Sequence, residues 1–184
     1  MNMKNVGTKR LETDRLILRK FTMEDAKDMF ENWASDDEVT KFLTWPTHSS
    51  IEVTKHILEG WVSRYENEDF YNWAIELKES GKVIGNISVV ELKERTECAE
   101  IGYCMSRSLW GKGIMPEALG EVIAFLFDEA EFNRVEAFHD VNNPKSGRVM
   151  EKAGMKYEGT LRQGSRNNQG LCDVVVRAVL KDDV

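Results

Sequence analysis

The chain has 184 residues, of which 41% are hydrophobic and 31% charged, and its formal net charge is −7. This length predicts a single domain over residues 1–184, with room for a sizeable core. The negative charge argues against direct nucleic-acid binding, and no apolar run is long enough for a membrane-spanning helix.

The first half of the chain alternates between strand and helix patterns. Apolar residues recur at helical spacing after two capping signals, and two strand patterns flank a Ser-Gly turn. The predicted elements are a strand at 15–20, a helix opened by a capping box at Thr22 to Asp25, a helix opened by Ser49 with Glu52, and a hairpin of 72–78 and 82–93 that turns at Ser80-Gly81.

The second half predicts the following elements in chain order: a strand at 97–105, a helix at 113–130, a strand at 134–141, a helix that Asn143-Pro144 begins and Gly154 ends, and strands at 155–162 and 171–180 joined by a Gly/Asn-rich loop. A right-handed crossover through the long helix should place strands 97–105 and 134–141 side by side and parallel. The chain as a whole predicts a mixed α/β fold.

A glycine turn, Trp110-Gly111-Lys112-Gly113, lies between the strand at 97–105 and the long helix. Free backbone N–H groups and the positive end of a helix dipole favour phosphate at such a position. The turn alone is equally compatible with a tight strand-to-helix connection, and Lys112 with a solvated turn residue.

Glu100 lies on a strand face whose other residues, Cys98, Gly102 and Cys104, are small. A carboxylate on such a face could be partly desolvated, which would raise its pKa and make it a better base near neutral pH. The alternative is a structural glutamate paired with a Lys or Arg side chain.

Asn143 and Ser146 lie in the first turn of the last predicted helix, where helix capping explains both. The three cysteines are odd in number and predict reduced thiols, and the beginning of the chain has no apolar signal-peptide segment. We therefore expect a cytoplasmic protein. No Cys or His cluster has metal-ligand spacing, so no metal is expected.

Five ordered segments, taken together, resemble the GNAT superfamily of acyl-CoA-dependent N-acyltransferases, and within it the RimJ/RimL type that acetylates the N-termini of proteins, including ribosomal proteins. The resemblance covers roughly residues 10–181. The segments are Leu11 to Arg19, Ala99 to Tyr103, Trp110 to Gly113 with Glu117 to Leu119, Asn143 to Ser146 with Glu151 to Gly154, and Glu158 to Arg162.

The resemblance implies a central, mostly antiparallel mixed sheet with a splayed parallel strand pair and helices on both faces. It also implies acetyl-CoA as co-substrate, with pantetheine in the gap between strands 97–105 and 134–141. The residues implied to bind it are Cys104, Met105, Trp110, Gly111, Lys112, Gly113, Ile114, Met115, Asn143 and Ser146. Met115 stands where the family pattern has Gly or Ala.

The expected reaction is direct transfer of an acetyl group to a primary amine, most simply the α-amine of a protein or peptide N-terminus. Glu100 is the candidate base, directly or through water, and Ser146 the candidate donor of a hydrogen bond to the departing thiolate. A backbone N–H near the end of the Glu100 strand would stabilise the oxyanion.

Two other functions stay open at this point: a non-catalytic acyl-CoA-binding module, and an enzyme for a small-molecule amine. Acceptor specificity should lie in residues 36–68 and in the loop at 163–170. The sequence implies no membrane partner and is compatible with a monomer or a homodimer.

Overall fold

The computed structural model describes residues 3–184 and contains one eight-stranded sheet. Its strands are β1 (Leu11–Glu12), β2 (Leu16–Arg19), β3 (Asn72–Leu77), β4 (Lys82–Lys93), β5 (Cys98–Met105), β6 (Arg134–Asp140), β7 (Lys156–Asn167) and β8 (Gly170–Leu180). They lie in the order β1-β2-β3-β4-β5-β6-β8-β7.

Helices cover both faces of this sheet. They are α1 (Ala26–Met29), α2 (Asp37–Thr40), α3 (Ile51–Arg64), α4 (Ile114–Asp128) and α5 (Pro144–Lys152). A 3-10 turn at Met23–Asp25 precedes α1 and a π-helical turn at Phe30–Ala34 follows it.

Among the described strands, β5 and β6 form the one parallel pair, and the other neighbours are antiparallel. Helix α4 connects these two strands, as the crossover argument requires. The predicted mixed fold with a parallel pair inside a mostly antiparallel sheet is therefore confirmed.

Two apolar clusters hold the helices on the sheet. Met115, Leu119, Val122 and Leu126 recur at helical spacing along α4 and are all buried in the larger one, as is Ala130 just beyond the helix. Trp33 and Leu58 from the first-half helices belong to the smaller cluster, which also includes Cys104. Strand β5 thus packs against a cluster on each face.

The capping signals of the first half had different outcomes. The capping box at Thr22 and Asp25 is confirmed, although the helix that follows is divided into 3-10, α and π segments. The signal at Ser49 is wrong: Ser50 precedes α3, and its side chain makes no capping hydrogen bond.

The predicted Gly/Asn-rich loop at 163–170 is wrong in extent, because β7 continues to Asn167. The register of β7 against β8 shifts between Leu161 and Ser165. Within this segment, Gln163 has φ +48° and its N–H donates to Asp173 Oδ1 at 2.8 Å. The side-chain acceptor replaces a ladder bond, so the hairpin extends through a segment whose composition resembles a loop.

Candidate active site

The site is built around a gap between β5 and β6. Their pairing covers only Cys98 to Glu100 on β5 and Arg134 to Glu136 on β6, and the described residues beyond form no further pairs between the two strands. A cavity of about 820 Å³ opens where the strands separate. Its wall includes Tyr103 to Met105, the glycine turn, the beginning of α5 and residues of the 38–43 segment.

The glycine turn forms the open end of this cavity. Gly111 has φ +78° and Gly113 φ +74°, a backbone region that glycine adopts without a steric penalty. Gly113 is the N-cap of α4, and within residues 3–184 no hydrogen-bond acceptor is recorded for the N–H groups of residues 111–115. The turn therefore offers unpaired donors at the positive end of a helix, as anion binding requires.

Met115 does not obstruct this turn. Its side chain is 3% exposed and belongs to the core under α4. The larger residue is thus accommodated on the inner side of the helix, while its backbone N–H stays in the first turn.

A hydrogen-bond network that the sequence analysis missed holds the glycine turn in place. Glu117 Oε2 accepts from Arg15 Nε at 2.6 Å, and Glu117 Oε1 accepts from the Thr13 hydroxyl at 2.5 Å. Arg15 Nη1 donates to the carbonyl of Lys112 at 3.0 Å. The Thr13, Arg15 and Glu117 positions lie in the segments that carry the family resemblance, but their mutual contact needs the fold.

Trp110 links the turn to both sides of the gap. Its indole N–H donates to the Met105 carbonyl at 3.0 Å, and Lys145 of α5 lies 5.2 Å from the ring centroid. Cys104 is buried in the same wall, and burial raises the pKa of its thiol to about 12. A thiol of this pKa stays protonated at neutral pH and is a poor nucleophile.

Glu100 lies at the closed end of the strand gap, opposite Glu136 in the last pair before the strands separate, and outside the lining of the cavity. Lys93 Nζ donates to Glu136 Oε1 at 2.6 Å and to Glu100 Oε2 at 3.3 Å. Arg134 Nη2 adds a second cation to Glu136, at 2.8 Å. The structural ion pair and the desolvated carboxylate that the sequence suggested as alternatives therefore occur together.

The two facing carboxylates have opposite pKa shifts. Burial raises the pKa of Glu100, and the hydrogen bond and charge of Lys93 offset only part of that effect. Burial acts in the same direction on Glu136, but Lys93 and Arg134 outweigh it and lower the pKa of Glu136 on balance. Glu100 is consequently the carboxylate of this pair that is better suited to accept a proton.

The first turn of α5 carries the other two predicted residues. Asn143 is the N-cap, and its Oδ1 accepts from the Ser146 N–H at 3.4 Å, so the capping role is confirmed. The Ser146 hydroxyl lies 2.9 Å from the Tyr103 hydroxyl across the gap. Tyr103 packs against the larger apolar cluster and presents its hydroxyl to α5.

The segments predicted to recognise the acceptor contact each other. Asn168, at the tip of the β7–β8 hairpin, donates through Nδ2 to the carbonyls of Thr40 and Trp45, at 2.9 and 2.8 Å. Asp36 forms an ion pair with Arg107 at 3.1 Å and caps α2. Glu38, two residues further on, lines the cavity with its carboxylate side chain.

Neither a membrane-crossing helix nor a metal-binding group of His, Cys, Asp and Glu occurs in the described part of the chain. None of the helices there has the length and apolarity to span a bilayer. No three such side chains within residues 3–184 converge as metal ligands.

Comparison with known proteins identifies related sequences over almost the whole chain. The acetyltransferase (GNAT) domain family matches residues 15–156. An uncharacterized N-acetyltransferase YoaA of Bacillus subtilis (strain 168) is 32% identical over 171 residues, which cover 93% of this chain and 96% of that protein. A putative ribosomal N-acetyltransferase YdaF of the same strain is 34% identical over 91% of this chain and 92% of its own length.

Two further proteins extend the comparison. A ribosomal-protein-serine acetyltransferase of Escherichia coli (strain K12) is 30% identical over 76% of this chain and 78% of its own length. The solved structure of RimL, a ribosomal L7/L12 alpha-N-protein acetyltransferase in complex with coenzyme A, superposes with a TM-score of 0.84. It covers 96% of this chain and 100% of its own at 20% identity, which supports the fold.

Proposed function

The chain belongs to the GNAT family of acetyl-CoA-dependent acetyltransferases, and from that premise we propose that its acceptor is the α-amine of a protein or peptide N-terminus. Relatives named as ribosomal-protein acetyltransferases support this acceptor class. We further propose that residues 1–184 act as one acyltransferase domain, since a single continuous sheet carries both halves of the site.

The observation that carries the proposal is the separation of β5 and β6 after Glu100 and Glu136, beyond which a cavity lined by Tyr103 reaches the unpaired N–H groups of the glycine turn. Residues Gly111 to Met115 would hold the diphosphate of acetyl-CoA, and Asn143 would bond to the pantetheine arm. The unpaired N–H groups of residues 111–115 and the open strand edge fit an elongated ligand with one anionic end.

Glu100 is proposed to take the proton of the acceptor amine, directly or through one water molecule. Its raised pKa increases its strength as a base, and Lys93 stabilises its ionised form. The α-amine itself has a pKa of about 7.7–8.0, so a sizeable neutral fraction exists near neutral pH, whereas a lysine amine near 10.4 must first lose its proton.

Transfer is proposed to be direct, without an acyl-enzyme. Cys104 is the thiol in the cavity wall, and its pKa of about 12 makes it unsuited to attack a thioester. Ser146 is proposed to donate a hydrogen bond to the sulfur as the carbon–sulfur bond breaks. Alignment of the two reactants in the cleft contributes roughly 7–11 kcal/mol in favourable cases, so binding geometry matters as much as the base.

Release of free thiol from acetyl-CoA tests this function. The acceptors are peptides with a free N-terminus, the same peptides with a blocked N-terminus and an internal lysine, and small amines including polyamines and amino acids. We expect thiol release with the free peptides and, by mass spectrometry, one acetyl group on the first residue. Acetylation confined to small amines would contradict the acceptor class, and acetylation of the lysine alone would contradict the α-amine.

A further inference from the structure

Tyr103 is a cavity residue that the reaction as proposed so far does not use. It follows Glu100 by three positions on β5, in the part of the strand that no longer pairs with β6. Its hydroxyl crosses to α5, where it donates to the Ser146 carbonyl at 3.0 Å and lies 2.9 Å from Ser146 Oγ. Both side chains line the cavity.

The two hydrogen bonds cannot both use the single proton of the tyrosine hydroxyl. When Tyr103 donates to the Ser146 carbonyl, the serine hydroxyl must donate to Tyr103, and its hydrogen points away from a ligand. When Tyr103 donates to Ser146 Oγ instead, the serine hydrogen is free to point into the cavity. The direction of this one bond therefore decides whether Ser146 can serve a ligand as a donor.

We propose that Tyr103 is a positioning residue for the thioester-cleavage step, which donates to Ser146 Oγ and so directs the serine hydrogen to the leaving sulfur. This inference rests on the proposed role of Ser146 in acetyl transfer. As the carbon–sulfur bond breaks, sulfur keeps the electron pair, and Ser146 stabilises it with a hydrogen bond. No proton leaves Tyr103 or Ser146, and the proton lost by the amine goes to Glu100 or to water.

The surroundings of Tyr103 suit a donor that stays protonated. Burial raises the pKa of its hydroxyl, and the hydrogen bond with Ser146 offsets this only in part. The serine is also held from its own backbone, through the bond of its N–H to Asn143 Oδ1. Only the rotation of two hydroxyl groups is therefore needed to change from the resting arrangement to the donating one.

A double-mutant cycle of Y103F and S146A tests the proposal. We expect Y103F to lower kcat by about 3- to 10-fold, the effect of one net hydrogen bond, with an unchanged KM for acetyl-CoA. In the S146A background the same substitution should leave kcat unchanged, because the residue through which it acts is absent. Tyr157 provides the matched control, since it is 59% exposed and its hydroxyl bonds only to Thr160 among the described residues. Y157F should change neither constant.

An equal loss of kcat in both backgrounds, or a change confined to KM, would overturn the positioning role. So would a wild-type kcat in S146A. Site-specific 3-fluorotyrosine at position 103 provides a second test that preserves the shape of the side chain: a stronger donor should raise kcat, and an unchanged value would again overturn the proposal. Failure of the proposed function looks different, since wild-type protein would then release no thiol with any free peptide.

Discussion

The two ends of the cleft between β5 and β6 manage charge in different ways. At the closed end, Glu100 and Glu136 face each other. Lys93 donates to both carboxylates, whereas Arg134 donates only to Glu136 of the two. At the open end, Gly111 and Gly113 expose backbone N–H groups that have no recorded partner within residues 3–184.

Under the proposed function, this difference assigns chemistry to one end of the gap and coenzyme binding to the other. Side-chain charges tune the pKa of a proton acceptor, and backbone dipoles hold an anion without a pKa of their own. Substitutions at the closed end should therefore change turnover and its pH dependence, whereas substitutions at the open end should change affinity for coenzyme A.

The largest effect is expected for Glu100→Gln. Loss of a general base typically lowers the rate by about 10²–10⁴-fold, and the affinity for coenzyme A should stay nearly unchanged because the glycine turn is intact. Steady-state kinetics and calorimetry measure the two quantities. Glu91 is a matched control, since it also bonds Lys93, at 3.2 Å, but its side chain is 58% exposed. Full turnover of Glu100→Gln between about pH 6 and 9 would remove Glu100 as the base.

Gly113→Val should weaken coenzyme A binding by about 10- to 100-fold, the loss expected when donors to a charged group are displaced. The φ of +74° at Gly113 also disfavours any side chain there, so part of the effect is on stability. Gly81→Val separates the two effects, because Gly81 has φ +65° in the hairpin turn between β3 and β4. Equal loss of affinity in both variants would contradict the phosphate assignment.

Glu117→Gln should have a smaller effect at the same end of the cleft. The glutamine keeps part of the bonding to Thr13 and Arg15 but loses the charge, so the turn is held less firmly through the Lys112 carbonyl. We expect coenzyme A affinity to fall about 3- to 10-fold, as measured by calorimetry. Glu12→Gln breaks the exposed pair with Lys78 and should leave affinity unchanged. An unaltered affinity in Glu117→Gln would show that the turn needs no anchor.

Lys93→Met should change the pH dependence of the reaction. Lys93 favours the ionised form of Glu100, and Glu91 and Glu136 oppose it, so removal of the lysine should raise the pKa of Glu100 further. Activity that needs ionised Glu100 is lost as the pH falls through this pKa. The acidic limb of the kcat/KM profile should therefore move to higher pH in Lys93→Met, and not in a Lys78→Met control. A limb that stays in place, or moves to lower pH, would contradict the assignment.

Local patterns predicted the framework of the site well. Strand alternation placed Glu100 on β5, and the Asn143-Pro144 pair marked the beginning of α5 at its observed residue. Glycine spacing located the turn at the N-terminus of α4. These features depend on neighbours within one helical turn or a few strand residues, which composition and spacing describe directly. Which of the predicted residues contact coenzyme A stays a prediction.

The other features of the site depend on contacts between residues that are far apart in the chain. Lys93 and Glu136 are 43 residues apart, as are Tyr103 and Ser146, while Asn168 bonds to Thr40 across 128 positions. The order of elements, the glycine turn and the family follow from the amino-acid sequence. Which carboxylate keeps a raised pKa and which hydroxyl faces Ser146 depend on the fold, because burial and hydrogen bonding involve chain segments that the sheet brings together.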